Sequence, residues 1–130
     1  MKYQVIIAGF GTAGAIAAIA AARRGAKVLV LERNTCPGGI QAGGFIYGYY
    51  LQQPMGLTAE INRLIDHQRN SGRLGGQTVE NRRETLENLA QQANAELHYQ
   101  AVISEVLQQD GTIKGVTWYE LGKRFSAECD

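Results

Sequence analysis

The sequence predicts an α/β fold in which a parallel sheet that carries helices is followed by a three-stranded antiparallel meander. Residues 5–8 and 27–31 are short apolar runs, as expected of parallel strands that are buried on both faces. Between them, residues 13–24 form an alanine-rich helical stretch, and Gly25 is the expected helix stop. From residue 95 the apolar period changes to two, which indicates that strands complete the chain.

The middle of the chain is predicted to be helical. Apolar residues recur at helical spacing over residues 58–69 and again over residues 78–94. Thr58 and Thr78 are the expected N-caps, because a threonine hydroxyl can accept a hydrogen bond from an unpaired N–H of the first turn. The remaining faces of both helices are polar and are expected to be solvated.

The final third of the chain is predicted to contain only strands. Residues 95–100 are expected to form a third parallel strand. Asp110-Gly111 is a strong hairpin signal, and a second turn is predicted at Leu121-Gly122-Lys123. The strands of the antiparallel meander are predicted over residues 102–108, 112–120 and 124–129.

A glycine-rich turn lies between the first strand and the first helix. Gly9 suits a tight strand-to-helix turn, Gly11 lets the backbone approach a pyrophosphate, and Gly14 lets the helix pack against the strand. The N–H groups and the positive dipole end of that helix would then face the phosphates.

Two further features extend this glycine motif. Glu32 ends the second strand, where its carboxylate can accept hydrogen bonds from ribose hydroxyls, and the pair Gly38-Gly39 follows in the next loop. A glycine motif alone is weak evidence, but here strand, turn, helix, strand and acidic residue stand in the required order. The sequence therefore predicts a site for an adenine dinucleotide.

With these residues the chain resembles the FAD-binding domain of glutathione-reductase-like flavoproteins. Gly38-Gly39, the glycines up to Gly44, the helix with Arg83-xx-Leu86 and the meander are similar to the FAD-dependent oxidoreductase family related to fumarate reductases. The resemblance covers essentially the whole chain. It implies a three-layer Rossmann-like fold and a flavin-dependent oxidoreductase, in which FAD performs hydride or electron transfer. Members with covalently bound flavin use a His or Cys near this segment, and the candidate here, Cys36, is interpreted as an ordinary loop thiol, so FAD is predicted to be bound noncovalently.

The resemblance also implies roles for particular residues. Glu32 would hold the adenosine ribose, Arg33 would lie beside the adenine, and Val102 would contact the adenine through its backbone. Gly38-Gly39 would pass close to the pyrophosphate and the ribityl chain, and Gly43-Gly44 would run toward the isoalloxazine ring. The residues implied to line the pyrophosphate are Gly9, Gly11, Thr12, Ala13 and Gly14.

Two alternatives share part of this pattern. A nicotinamide-binding Rossmann module would use the same glycines and Glu32, but it would continue with another helix and parallel strand instead of a meander. A truncated dinucleotide-binding module without chemistry of its own is the second alternative. No catalytic acid or base can be assigned, and Cys36 and Cys129 lie far apart without the spacing of a metal or dithiol site.

Several other residues have structural interpretations. Arg82 and Arg83 are predicted to lie on a solvated helix face, Trp118 to pack within the meander, and His98 to have a surface or packing role. Three aromatic side chains could either wall the flavin pocket or lie in the core: Tyr47, Tyr49 and Tyr50.

Composition sets the remaining expectations. The chain has 130 residues, with 13 basic and 12 acidic side chains and a net charge of +1, so a nucleic-acid partner is not expected. No apolar tract is long enough to predict a membrane span, and the early first strand predicts that there is no signal peptide. A cytoplasmic protein that acts on a small-molecule substrate is therefore expected.

The resembled family continues beyond a meander of this kind. There a further strand returns to the parallel sheet and carries residues that contact the flavin side of the cofactor. The resemblance thus predicts that residues 1–130 are the N-terminal part of an FAD-binding domain whose partner is the remainder of its own polypeptide. The parallel sheet should then have three strands and an open edge, and the isolated chain should show no turnover.

Overall fold

The computed structural model describes residues 2–46, 55–70 and 79–129, with the side chains of 67–70 excepted. Predictions for Thr78 and for the three tyrosines fall outside the described residues. The strands are β1 (Lys2–Tyr3), β2 (Val5–Ala8), β3 (Val28–Glu32), β4 (Glu96–Tyr99), β5 (Ala101–Gln109), β6 (Thr112–Glu120) and β7 (Lys123–Cys129). The helices are α1 (Thr12–Arg23), α2 (Gly39–Gly43), α3 (Gly56–Asn70) and α4 (Val79–Gln92).

The predicted parallel sheet is confirmed. It contains three strands in the order β2-β3-β4, and the register places Ile6 opposite Leu29 and Val30 opposite Leu97. Within the described residues β2 pairs on one side only, with β3, so its other side is an open edge as expected. All five residues of β3 are buried, because this central strand is covered on both faces.

The predicted meander is confirmed, with one strand more than expected. Its sheet has the order β1-β7-β6-β5, in which β5, β6 and β7 are antiparallel and β1 pairs parallel with β7. The register sets Lys2 opposite Glu128 and Tyr3 opposite Cys129. The sequence pattern does not separate β1 from β2, because two residues are too few to show a period.

The fold has three layers, as predicted. On one side of β3, Val28 and Val30 pack in a core with residues of α1, α3 and α4. On the other side, Leu29 and Leu31 pack against Val116, Trp118 and Ala127 of the meander, together with Tyr3. Side chains alternate along a strand, so a single strand supplies both cores.

Two helix boundaries show where local signals succeeded and failed. Gly25 ends α1 as predicted: it has a φ of 85°, and its N–H and that of Ala26 donate to the carbonyls of Ala22 and Ala21. The prediction that Thr58 caps α3 is wrong. The helix begins at Gly56, and the N–H of Ala59 donates to the Met55 carbonyl, so Thr58 lies inside the first turn.

No helix of the described residues has the length and apolar character needed to cross a membrane.

Candidate cofactor site

An open cleft lies at the carboxyl ends of β2 and β3. Its volume is about 570 Å³. Such a position, outside the carboxyl ends of parallel strands, is where α/β sheets bind ligands. The lining residues are Ala8, Gly9, Gly11, Ala13, Gly14, Leu31, Glu32, Arg33, Asn34, Ala101, Val102 and Ile103.

The glycine turn is shaped by contacts of the chain with itself. Gly9 has a φ of 97°, which side-chain-bearing residues rarely adopt. A Cβ on Gly14 would overlap the carbonyl oxygen of Gly9 and would come within 3.2 Å of Ile7 Cγ2. Close packing of α1 on β2 therefore requires Gly14, as the sequence predicted.

The first turn of α1 faces the cleft without a cap of its own. Gly11 is the N-cap residue and makes no side-chain capping bond, and the first turn contains no acidic residue. The hydroxyl oxygen of Thr12 is buried and finds no partner among the described residues. Uncapped N–H groups at a positive dipole end suit an anionic group.

Glu32 lies beside the glycine turn, at the end of β3. The side chain is 4% exposed. Its Oε2 accepts the N–H of Phe10 at 2.6 Å, and its Oε1 accepts the N–H of Asn34 at 2.7 Å. One carboxylate thus joins the glycine turn to the loop after β3. Each oxygen keeps a second acceptor position, so Glu32 can serve a ligand hydroxyl as well.

The double glycine packs directly on the glycine turn. A Cβ on Gly39 would lie 2.8 Å from Gly11 Cα, and one on Gly11 would lie 3.6 Å from Gly39 Cα. The N–H of Gly38 donates to the Phe10 carbonyl at 2.8 Å. Two stretches of backbone therefore meet without an intervening side chain.

The double glycine leads into α2, a helix that the sequence analysis missed. Gly38 has a φ of 96° and is the N-cap of α2, and Gly44 follows the last residue of that helix. Added Cβ atoms would lie 2.6 Å from Ala42 Cβ at Gly38 and 2.8 Å from the Ile40 carbonyl oxygen at Gly44. A five-residue helix leaves too short a pattern to recognise.

A second open cavity, also of about 570 Å³, adjoins the first and shares Arg33, Asn34 and Val102 with it. Its lining residues are Arg33, Asn34, Thr35, Cys36, Gly39, Gly43, Gln100 and Val102.

The structure brings together most of the predicted site residues. Seven line the first cavity, namely Gly9, Gly11, Ala13, Gly14, Glu32, Arg33 and Val102. Gly39 and Gly43 line the second cavity, whereas Thr12, Gly38 and Gly44 line neither. Five lining residues of the first cavity were not predicted: Ala8, Leu31, Asn34, Ala101 and Ile103. The place of the first three at or just after strand ends was a usable signal.

The prediction of a solvated face at Arg82 is wrong. This side chain is 2% exposed, and it donates from Nη1 to Gln41 Oε1 and from Nη2 to Asn62 Oδ1, each at 3.1 Å. The helical pattern around Arg82 is polar on that side, and nothing local indicates that α2 and α3 cover it.

A group of polar and aromatic side chains, here called the sheet-bridging cluster, joins the two sheets away from the cleft. It comprises Tyr3, Glu96, His98, Trp118 and Glu120. His98 contacts Glu120 Oε2 through Nδ1 at 2.7 Å and Glu96 Oε1 through Nε2 at 3.1 Å. The Tyr3 hydroxyl donates to Glu96 Oε2 at 2.8 Å, and Trp118 Nε1 donates to Glu120 Oε2 at 3.2 Å.

The cluster changes the protonation behaviour of His98. Burial works against the charged imidazole, but the hydrogen bonds and charges of Glu96 and Glu120 outweigh it and raise the pKa of His98. Trp118 is 5% exposed and stacks on Phe125 with ring centroids 5.6 Å apart, so its predicted packing role is confirmed.

The parallel sheet, the glycine turn and the meander define a Rossmann-like fold, and comparison with known proteins identifies its family. The family model described as FAD dependent oxidoreductase matches residues 4–130. The chain therefore belongs to the FAD-dependent oxidoreductase family, and FAD is the cofactor that this membership supports.

Individual relatives are similar in sequence to this chain over part of their length. Digeranylgeranylglycerophospholipid reductase 2 of Methanopyrus kandleri is 30% identical over 91% of this chain and 33% of that protein. Protein FixC of Escherichia coli O157:H7 is 39% identical over 52% of this chain and 17% of its own length. The matched segments thus span between about a sixth and a third of these curated relatives.

A solved structure shows the same fold. A geranylgeranyl bacteriochlorophyll reductase-like protein from Thermoplasma acidophilum superposes with a TM-score of 0.69 at 17% identity, covering 98% of this chain and 37% of that one.

Proposed function

We propose that the cleft binds the adenosine diphosphate part of FAD and that the whole protein is a flavin-dependent oxidoreductase. The observation that carries the proposal is the pairing, across one cleft, of an uncapped helix N-terminus with a buried carboxylate. In this proposal the N–H groups at Thr12, Ala13 and Gly14 bind the pyrophosphate. Glu32 binds the ribose through the acceptor positions that Phe10 and Asn34 leave open.

The remaining predicted contacts follow the shape of the two cavities. Arg33 and Val102 line both cavities, which supports an adenine position between them. Gly39 and Gly43 line only the second cavity, which supports its use by the ribityl and flavin side. FAD, when bound, would supply hydride or electron transfer, and this chain would bind and orient it.

The context of the whole protein is part of the same proposal. Because relatives extend well beyond the matched segment, we propose that the remaining polypeptide supplies the groups that face the isoalloxazine ring. A small-molecule substrate, a cytoplasmic location and the absence of a nucleic-acid or membrane partner stay predictions.

A charge placed at the helix N-terminus tests the pyrophosphate position. Ala13 is exposed and lines the cleft, whereas Ala17 is exposed on the same helix and lines neither cavity. Ala13→Asp should weaken FAD binding at least about tenfold, because the carboxylate repels the phosphates while it suits the helix dipole. Ala17→Asp is the matched control and should leave the affinity unchanged.

The measurement is a titration of the purified protein with FAD, followed by flavin fluorescence, after any bound flavin has been released with acid and identified by its absorbance. Equal effects of the two alanine variants would contradict the assignment. Tighter binding of NADH than of FAD would overturn the proposed cofactor site as a whole.

A further inference from the structure

Arg82 is a buried cation that lies outside both cavities. Its guanidinium reaches from α4 to Gln41 of α2 and to Asn62 of α3, so one side chain joins three helices. Taking a cation out of water is costly, and a planar guanidinium with two fixed acceptors recovers much of that cost. A lysine could not bond both acceptors in the same way, because its ammonium is a single point.

The helix that Arg82 holds is too short to be stable by itself. α2 has five residues, whereas isolated helices need roughly 12 to 15 residues before they are even marginal in water. Its placement therefore depends on side chains, chiefly the buried Ala42 and the buried Gln41, which is 5% exposed. Gln41 is the residue of α2 that accepts from Arg82.

The position of α2 in turn affects the cleft. Gly39, the first residue of α2, packs against the backbone of Gly11, which is the N-cap of α1. The N–H of Gly38 is bonded to the carbonyl of Phe10. A shift of α2 would thus move the backbone that supports the proposed pyrophosphate site.

We propose that Arg82 is a positioning residue for the cofactor cleft: through Gln41 it holds α2, and so keeps the double-glycine segment against the glycine turn. This inference rests on the proposed FAD site for its ligand. Arg82 acts through α2, since it lines neither cavity.

The test combines FAD affinity with amide hydrogen exchange. Arg82→Gln should weaken FAD binding about tenfold, the size expected when a hydrogen bond to a charged group is lost. In the absence of FAD it should also speed exchange at the amides of Gly38 and Gly44, which the intact turn and α2 protect. Arg82→Lys keeps the charge, but compared with Arg82→Gln it should recover only a small part of the FAD affinity and of the amide protection. Full rescue by lysine would overturn the proposal.

A matched control separates positioning from general destabilisation. Ile65 is fully buried in α3, and Ile65→Val should lower the urea midpoint of unfolding modestly without touching the bond to Gln41. It should speed exchange across the core and leave FAD affinity nearly unchanged. If Arg82→Gln gives the same uniform pattern as Ile65→Val, Arg82 has a purely structural role and the proposal is overturned.

A second variant covers failure of Arg82→Gln to fold. Gln41→Leu removes the acceptor in α2 and leaves the cation in place with Asn62. Gln41→Leu should reproduce both the loss of FAD affinity and the faster exchange at the Gly38 and Gly44 amides. In a double-mutant cycle, the effects of Arg82→Gln and Gln41→Leu should be non-additive. Additive effects would contradict the proposal. If the unaltered protein binds no FAD, the proposed cofactor site fails, and the exchange data alone decide the role of Arg82.

Discussion

The two sides of the cleft are built in different ways. The side with Glu32 and the glycine turn is formed by consecutive elements, β2, α1 and β3, whose backbones contact one another directly. The side with α2 is a short helix whose position depends on Arg82, 41 residues further along the chain than Gln41. One side is thus encoded locally and the other by a distant contact. The two sides should therefore respond differently to substitution.

The largest effect is expected at Gly14. Gly14→Ala should destabilise the protein by about 3 kcal/mol or more, because its Cβ meets the backbone carbonyl of Gly9, which cannot move aside as a side chain can. Urea unfolding measures this loss. Gly43→Ala is the control on the α2 side, since an added Cβ there meets nothing within 4 Å.

Gly43→Ala should be neutral or should stabilise by about 0.5 to 1 kcal/mol, because alanine restricts the unfolded chain more than glycine does. Similar losses of stability at Gly14 and Gly43 would remove the distinction between the two sides.

The next largest effect is expected at Glu32. Glu32→Ala should destabilise by about 2 to 3 kcal/mol, because it leaves the N–H groups of Phe10 and Asn34 without their acceptor. FAD affinity should fall as well. Glu60→Ala, which removes an exposed pair with Arg23, should cost no more than about 1 kcal/mol. A Glu32 variant with full stability and reduced FAD affinity would show that its carboxylate serves only the ligand.

Sequence predicted the local side of the cleft well. The spacing of Gly9, Gly14 and Glu32 reflects contacts between neighbouring elements, so a short window of sequence holds the whole signal. It did not reveal that Glu32 also holds the turn together, because both acceptor bonds go to backbone N–H groups that any residue carries.

Sequence failed where structure depends on distant segments. Arg82 is polar and lies on a polar helix, so its local pattern favours solvent, and only the arrival of α2 and α3 buries it. The strand β1 was missed for the same reason, since it exists through pairing with β7 at the other end of the chain.

A moderate effect is expected at Gly11, where the two sides meet. Gly11→Ala should be tolerated, because its Cβ would lie 3.6 Å from Gly39 Cα, an ordinary contact. Gly11→Val should lower stability and FAD binding by about 1 to 2 kcal/mol each, because its branches push the two backbones apart. Calorimetric titration with FAD and urea unfolding measure the two losses. Equal behaviour of the alanine and valine variants would mean that this backbone contact is loose.

The smallest effect is expected at the sheet-bridging cluster, which belongs to neither side of the cleft. Substitutions there are therefore a control for those on the two sides. His98 faces the carboxylates of Glu96 and Glu120 and the ring of Trp118, while Tyr3 donates to Glu96 and Lys27 lies over the Tyr3 ring. Because the pKa of His98 is raised in the folded state, its contribution to the free energy of unfolding is fully present below about pH 6.5. This contribution is lost as the pH rises through the folded-state pKa. For Glu96, burial opposes ionisation, but bonds from His98 and Tyr3 lower its pKa. The contribution of Glu96 to the free energy of unfolding is therefore present above about pH 4.5 and is lost as the pH falls through its folded-state pKa.

The sheet-bridging cluster should therefore contribute most to the free energy of unfolding between about pH 4.5 and 6.5. His98→Gln should cost about 0.5 to 1 kcal/mol there, the range for a partly exposed ion pair, and less at alkaline pH. Trp118, the only tryptophan, lies with its ring 5.8 Å from His98 and reports unfolding by fluorescence. FAD affinity should not follow this pH dependence, since no member of the cluster lines either cavity. A stability difference that grows with rising pH would show that neutral His98 is the form the fold prefers.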